Sequence, residues 1–171
     1  MLKIILPLLV LGFLGYVQTK PSDFYFERSA VLKAAPEKIF PYLSTFALSG
    51  QWSPYERRDP AMKKTISGTD GAPGAKMAFD GNDEVGAGSV EVTKLVPNST
   101  VELRLLMERP MKVDNQIFYV LTPAPEGTRL SWAMRGRNSF MGKLLATVIS
   151  VEDMLGKDKE QGFANLRKLV E

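Results

Sequence analysis

The sequence predicts an α+β fold: a curved antiparallel sheet wrapped around a long C-terminal helix and preceded by a hydrophobic N-terminal helix. Three observations predict it. Apolar and polar residues alternate at every second position through much of residues 24–134, which makes strands with one buried face. From Phe140 onward the apolar residues recur at steps of three and four, the spacing of a helix. Ahead of both, residues 2–17 hold sixteen positions with a single charge, Lys3.

That apolar run divides the chain into a hydrophobic segment over residues 1–19, a linker at 20–23 and a globular domain over 24–171. Sixteen helical residues reach about 24 Å, against a hydrocarbon core of about 30 Å, and Pro7 is tolerable in a membrane helix. The segment is therefore expected to be an uncleaved single-pass membrane anchor. Cleavage as a signal peptide, which would make the domain secreted or periplasmic, is the alternative; Gly15-Tyr16-Val17-Gln18-Thr19-Lys20 supplies no clean small-x-small site for it. A buried or surface hydrophobic arm is the third reading. Lys3 on one side and Lys20 and Arg28 on the other leave the side of the domain undetermined.

The domain opens with a strand, in which Phe24, Phe26, Ala30 and Leu32 alternate with Tyr25, Glu27, Ser29 and Lys33. Ala35-Pro36-Glu37-Lys38 follows, with Pro36 suited to a first helical turn and Ile39, Phe40, Tyr42 and Leu43 forming an apolar face. Residues 49–60 read as loop. Short strands come next, marked by Met77 and Phe79, then Val90 and Val92, then Val101, Leu103, Leu105 and Met107. Ile117, Tyr119 and Leu121 mark another, and Leu130, Trp132 and Met134 the last. Six or seven strands with one apolar face each make an antiparallel sheet with one side wet. Phe140 through Val170 then predicts an amphipathic helix of about thirty residues, loosened near Gly142, Gly156 and Gly162. A helix laid across a curved sheet seals it imperfectly, so a cavity between them is a natural product of this arrangement.

Composition excludes much chemistry. About 150 residues after the leader fit one core. There is no cysteine and no histidine, which removes thiolate nucleophiles, Ser-His-Asp and Cys-His catalysis, and the commonest metal ligand. Acid–base work would fall to Asp, Glu, Lys or Tyr with shifted pKa values. A net charge of +3 with dispersed basic residues argues against nucleic acid as a partner. Asp80, Asp83 and Glu84 form an acidic loop but lack further ligands at fixed spacing, so no metal and no cofactor are expected. A monomer is expected.

Several segments resemble a known family. Phe26-Glu27-Arg28-Ser29, Ala35 to Phe40, Trp52-Ser53-Pro54, Gly127 to Trp132 and Gly156 to Leu166 are similar, in order and spacing, to the START-like (SRPBCC) superfamily. The likeness is greatest to its bacterial polyketide cyclase/dehydrase-like branch, drawn as a helix-grip fold, and it covers roughly residues 24–171. The resemblance implies a domain that binds lipids, sterols, polyketides or related hydrophobic molecules in a cavity; a minority of members catalyse cyclisation or dehydration. No catalytic motif of those members transfers residue by residue.

The inner face of the predicted sheet supplies the cavity candidates Phe79, Leu105, Met107, Tyr119, Trp132 and Met134, each of which also suits plain core packing. Trp52, on the loop after the first helix, would either cap the cavity mouth or pack that loop. Arg28 shares a face with Phe26 and Ala30 and would meet an anionic headgroup or snorkel to water. Two functions follow. One is a membrane-tethered, non-catalytic module that binds a small hydrophobic molecule or lipid. The other is a cyclase/dehydratase-type enzyme in which Arg28, Tyr119 or Glu84 supplies polarity.

Overall fold

The computed structural model describes residues 2–171. Helix α1 (Leu2–Thr19) leads into strand β1 (Asp23–Leu32), followed by three short helices, α2 (Pro36–Ser44), α3 (Phe46–Ser49) and α4 (Pro54–Arg58). Six strands follow: β2 (Lys63–Ser67), β3 (Lys76–Asp80), β4 (Ala87–Val96), β5 (Thr100–Arg109), β6 (Val113–Ala124) and β7 (Gly127–Arg137). Helices α5 (Phe140–Val148) and α6 (Val151–Val170) close the chain. All strand pairs are antiparallel, in the order β1-β7-β6-β5-β4-β3-β2. The result is a curved meander with β1 laid beside its last strand, the helix-grip arrangement.

Local chemistry sets the boundaries. Pro36 occupies the first turn of α2, where its missing N–H would have no helical partner. Between β6 and β7 the chain turns at Gly127 with φ +136°, and a Cβ there would lie 2.2 Å from the Leu32 carbonyl oxygen. Only glycine lets that turn pass the end of β1. Thr128 Oγ1 then donates to the Ala34 carbonyl at 2.7 Å, tying the turn to the start of α2. The segment read as loop carries α3 and α4, whose single turns are too short to leave a periodic signature. Edge strand β2 is exposed throughout and begins Lys63-Lys64, charges that discourage further strand pairing.

The single closing helix expected from residues 140–170 is two helices. Ile149 adopts extended backbone, φ −120° and ψ 138°, and ends α5. Ser150 then restarts the chain as an N-cap, its Oγ accepting from the Asp153 N–H at 3.3 Å. Gly156 and Gly162 lie inside the continuous α6.

The N-terminal segment requires a correction. Residues 2–19 are helical as expected, yet no helix of the described residues is long and apolar enough to cross a membrane, so the single-pass anchor is not supported. Eighteen residues reach only about 27 Å, and the C-terminal end of α1 is taken up by protein. It packs on α5, Val17 is fully buried, and Lys143 Nζ donates to the Gln18 carbonyl at 3.2 Å. The Lys3 side chain, invoked for orientation, lies outside the described residues.

Helix α6 is what the sheet curls around. Phe163, Leu166 and Val170 face the core and are buried. Lys38 Nζ donates to the Val170 carbonyl at 2.9 Å and satisfies the helix end. Asn165 Nδ2 reaches the Trp52 carbonyl at 2.9 Å. Lys159 has no exposed surface at all; its ammonium donates to the carbonyls of Phe26 in β1, at 3.1 Å, and Trp132 in β7, at 2.8 Å. The same Nζ stands 4.3 Å from the centre of the Phe26 ring. Among the described residues no carboxylate bonds it. Burial, and secondarily the charge of Arg28, pull its pKa down to about 8 against the opposing influence of Glu27.

Two predictions follow from this docking. In the unfolded chain Lys159 keeps its proton up to an ordinary pKa near 10.5, whereas the folded protein releases it from about 8. Between those values the unfolded state binds more protons, so stability rises with pH, by up to about 1.4 kcal/mol per unit. Above pH 10 the rise reverses, because Tyr55 and Tyr119, held protonated by burial in the folded protein, ionise on unfolding. Urea midpoints measured from pH 7 to 9.5 should climb, and Lys159→Met should flatten the climb. The second prediction concerns the two α6 glycines. A Cβ at Gly162 would lie 2.7 Å from the Trp132 ring, which neighbouring aromatic rings hold in place, whereas at Gly156 its nearest neighbours stand at 3.5 Å. Gly162→Ala should destabilise by about 1–2 kcal/mol despite the better helix former, while Gly156→Ala should be neutral or stabilise by up to about 1 kcal/mol, both read from urea unfolding.

Candidate ligand cavity

Between the inner face of the sheet and the helices lies a cavity of about 600 Å³. The sheet supplies its floor by register. Tyr119 stands opposite Trp132, Ile117 opposite Met134 and Val90 opposite Leu105, and because side chains alternate, all six point to the same side. Phe79 on β3 and Met107 on β5 extend that floor. Helices α2 to α4 and the facing parts of α5 and α6 supply the roof, through Leu43, Phe46, Trp52, Tyr55, Leu145 and Leu155. The lining is mostly aliphatic, aromatic and thioether.

One end is closed by an aromatic cluster. Trp132 lies 5.5 Å from Trp52, 5.4 Å from Tyr119 and 6.2 Å from Phe163, ring centre to ring centre. The contacts of Trp132 with Trp52 and Phe163 are edge-to-face, the favoured quadrupole geometry, worth about 0.5–1.5 kcal/mol each beyond burial. Trp52 is fixed from both sides, its Nε1 donating to the Tyr42 carbonyl at 2.7 Å and its own carbonyl accepting from Asn165. It therefore packs its loop and walls the cavity together.

Along the cavity wall an ion pair joins Arg58 of α4 to Asp158 of α6. Asp158 is 4% exposed, so the pair is shielded on the acidic side. The Arg58 guanidinium also lies 5.6 Å from the Tyr55 ring. Burial, then the charge of Asp158, pushes the Tyr55 phenol far above its usual range, and burial does the same to Tyr119. Both hydroxyls are neutral donors at any ordinary pH. Among the described residues, two buried polar atoms have no hydrogen-bond partner, Trp132 Nε1 and Asn115 Oδ1, and both residues line the cavity.

Of the residues proposed from sequence, Trp52, Phe79, Leu105, Met107, Tyr119, Trp132 and Met134 all border this cavity. Arg28 lies outside the lining. Its guanidinium stacks on the Phe26 ring at 4.4 Å and faces Gly156 of α6, at the edge of the sheet. Glu84 borders the cavity and is exposed. The acidic loop is a structured turn: Asp80 pairs with Arg109, and the Asn82 side chain accepts from the Glu84 and Val85 N–H groups. Among the described residues no group of three acidic side chains is placed to hold a metal.

Sequence reasoning missed Tyr55, Arg58, Asp158 and Asn115. The first two fell in the segment read as loop. Asn115 carried a usable signal, since it precedes Ile117 and Tyr119 at two-residue steps and is the polar member of an otherwise apolar face.

The family described as polyketide cyclase/dehydrase and lipid transport matches residues 24–171 of the chain. No curated protein matches it. Among solved structures, a protein of Chromobacterium violaceum superposes with a TM-score of 0.63 at 18% identity, over 86% of this chain and 96% of that one. The di-domain ARO/CYC StfQ from the steffimycin biosynthetic pathway gives 0.61 at 12% identity, over 87% of this chain and 51% of that one. Ginseng major latex-like protein 151, from Panax ginseng, gives 0.60 at 9% identity, over 86% and 97%. Likeness at these identities establishes the fold.

Proposed function

The chain belongs to the polyketide cyclase/dehydrase and lipid transport family, and on that premise we propose that it is a non-catalytic binding module. It takes up one small, mainly hydrophobic molecule in the cavity between the sheet and the helices. The observation that carries this reading is the cavity itself, about 600 Å³. That volume is in the range of small-molecule sites, and its apolar walls are adaptable where Met107 and Met134 line them. Binding such a molecule removes apolar surface from water on both partners at roughly 25 cal/mol per Å².

The polar groups support binding over reaction. A general acid or base works best with a pKa near ambient pH, and burial drives the two cavity phenols, Tyr55 and Tyr119, away from it. Asp158 is committed to Arg58. Lys159 is the group drawn toward neutrality, but it is engaged by two main-chain carbonyls and does not line the cavity. Cyclisation in the manner of an ARO/CYC protein, the second reading, would need a proton carrier; of the carboxylates in the lining, Glu56 is bonded by Ser49 and Lys64, Asp158 is paired with Arg58, and Glu84 is exposed.

Both tryptophans of the chain, Trp52 and Trp132, border the cavity, so their emission reports its occupancy. Titration with N-phenyl-1-naphthylamine should quench that emission and saturate at one molecule per chain. Filling the space with Val90→Phe and Leu105→Phe together should weaken uptake at least tenfold while leaving the urea midpoint unchanged or raised. A loss of about 1–3 kcal/mol in that variant would mean that the space is already filled core and would remove the basis of the binding reading.

A further inference from the structure

We infer that two copies of this chain pair through α1, in a symmetric dimer whose contact is the side of that helix opposite Val17. The dimer replaces the monomer expected from sequence, and it uses a surface that the cavity does not. Helix α1 precedes residues 24–171, which the family covers, so the family fold does not account for it. Residues 4–17 carry no charge and a single hydroxyl, that of Tyr16. A helix apolar on every side has to be buried on every side. This chain buries only its C-terminal end: Val17 is covered where α1 packs on α5, while Leu6, Leu8, Leu9, Leu11 and Tyr16 are exposed.

Helix geometry shows which side is open. At about 100° per residue, Leu8 lies nine residues before Val17 and points directly away from it. Leu11, Gly12 and Gly15 fall within about 60° of Leu8. Leu8 is 62% and Leu11 65% exposed, and a Cβ added at Gly12 or Gly15 would meet nothing within 4 Å. Glycine inside a helix costs stability relative to alanine. Nothing among the described residues crowds these two positions, whereas a second helix brought close to this side would need them bare. Beside α1, helix α5 leaves Met141 and Val148 exposed and extends the apolar surface.

Area and charge select the occupant. A monomer of 19.0 kDa exposes roughly 8,400 Å², and this chain exposes 10099 Å². Two chains thus carry about 3,400 Å² of surplus, within the roughly 2,000–5,000 Å² that obligate homodimers bury. A lipid surface fits less well. No helix of the described residues is long and apolar enough to cross a membrane. A helix lying in the bilayer interface needs a charged face beside its apolar one, which residues 4–17 lack. A different protein would be selected by polar or charged contacts that α1 does not offer. An identical helix is matched to it by a two-fold axis, the commonest symmetry of soluble oligomers.

Sedimentation velocity and light scattering of the full chain, at micromolar concentration without detergent, should give twice the chain mass of 19.0 kDa. Leu8→Glu with Leu11→Glu should weaken the dimer at least about a hundredfold, and Gly12→Ala about tenfold. The near-ultraviolet dichroism of Trp52 and Trp132 should stay unchanged in both, showing that the domain is folded. A monomeric wild-type chain would overturn the inference. So would a dimer that either variant leaves intact, since its contact would then lie on another surface. A series of larger species growing with concentration would mean open association in place of a closed pair, and would also overturn it. A monomer that floats with vesicles of phosphatidylcholine and phosphatidylglycerol would assign α1 to lipid instead.

Discussion

The docking of α6 across β1 and β7 governs the rest of the molecule, and Lys159 is its centre. A lysine ammonium buried without a carboxylate is costly, and it is accepted here because two main-chain carbonyls from different strands converge on it. Those bonds hold one turn of the helix against the β1–β7 edge. A few residues on, Gly162 brings α6 down onto Trp132, and Asn165 ties it to the Trp52 loop. Helix position, aromatic cluster and loop are thus three consequences of one register between helix and sheet.

The cavity is the complement of that docking. The helix is fixed where it crosses β1 and β7, at one side of the sheet. Strands β3, β4 and β5 lie farther along the sheet and border the cavity together with the shorter helices and α5. Side chains long enough to meet across the β7 side, such as Trp132 and Phe163, fill it. Val90, Leu105 and Met107 on the far side are only partly buried, because what faces them is the cavity. The Arg58–Asp158 pair stands where α4 meets α6 and borders the cavity. A packed core and an open space therefore coexist on one sheet face, divided by how far each strand lies from α6.

Strand periodicity carried most of this into the sequence. The two-residue alternation of Val101 to Met107 or Ile117 to Leu121 identifies both the strand and its inward face, and it places Leu105, Tyr119, Trp132 and Met134 on one surface. Helical breaks were less visible. Residues 140–170 keep a helical spacing across Ile149 and Ser150, and the interruption rests on one extended residue and one capping hydroxyl. Short helices α3 and α4 leave no period to read. Residues 2–17 show a different limit: composition states that a segment is apolar, whereas what that apolar surface meets depends on tertiary packing, here α5 and the Lys143 contact. Arg28 shows a third, since sharing a face with Phe26 does not decide which side of α6 a strand-edge residue occupies.

Electrostatics gives the cavity its character. Of the ionisable groups near it, the two phenols are held in a form that does not exchange protons near neutral pH, and several others are engaged in ion pairs or with the backbone. Burial keeps the phenols of Tyr55 and Tyr119 protonated; Asp158 is paired with Arg58; Lys159, drawn down to about 8, turns its ammonium to the sheet backbone. What the wall offers a guest is mainly apolar contact, with a small set of polar atoms. Apolar contact supplies affinity with little discrimination, while a polar atom of the wall penalises every guest that leaves it unpaired. Selectivity in such a cavity is then decided by the polar atoms of its wall, and the volume decides only what fits.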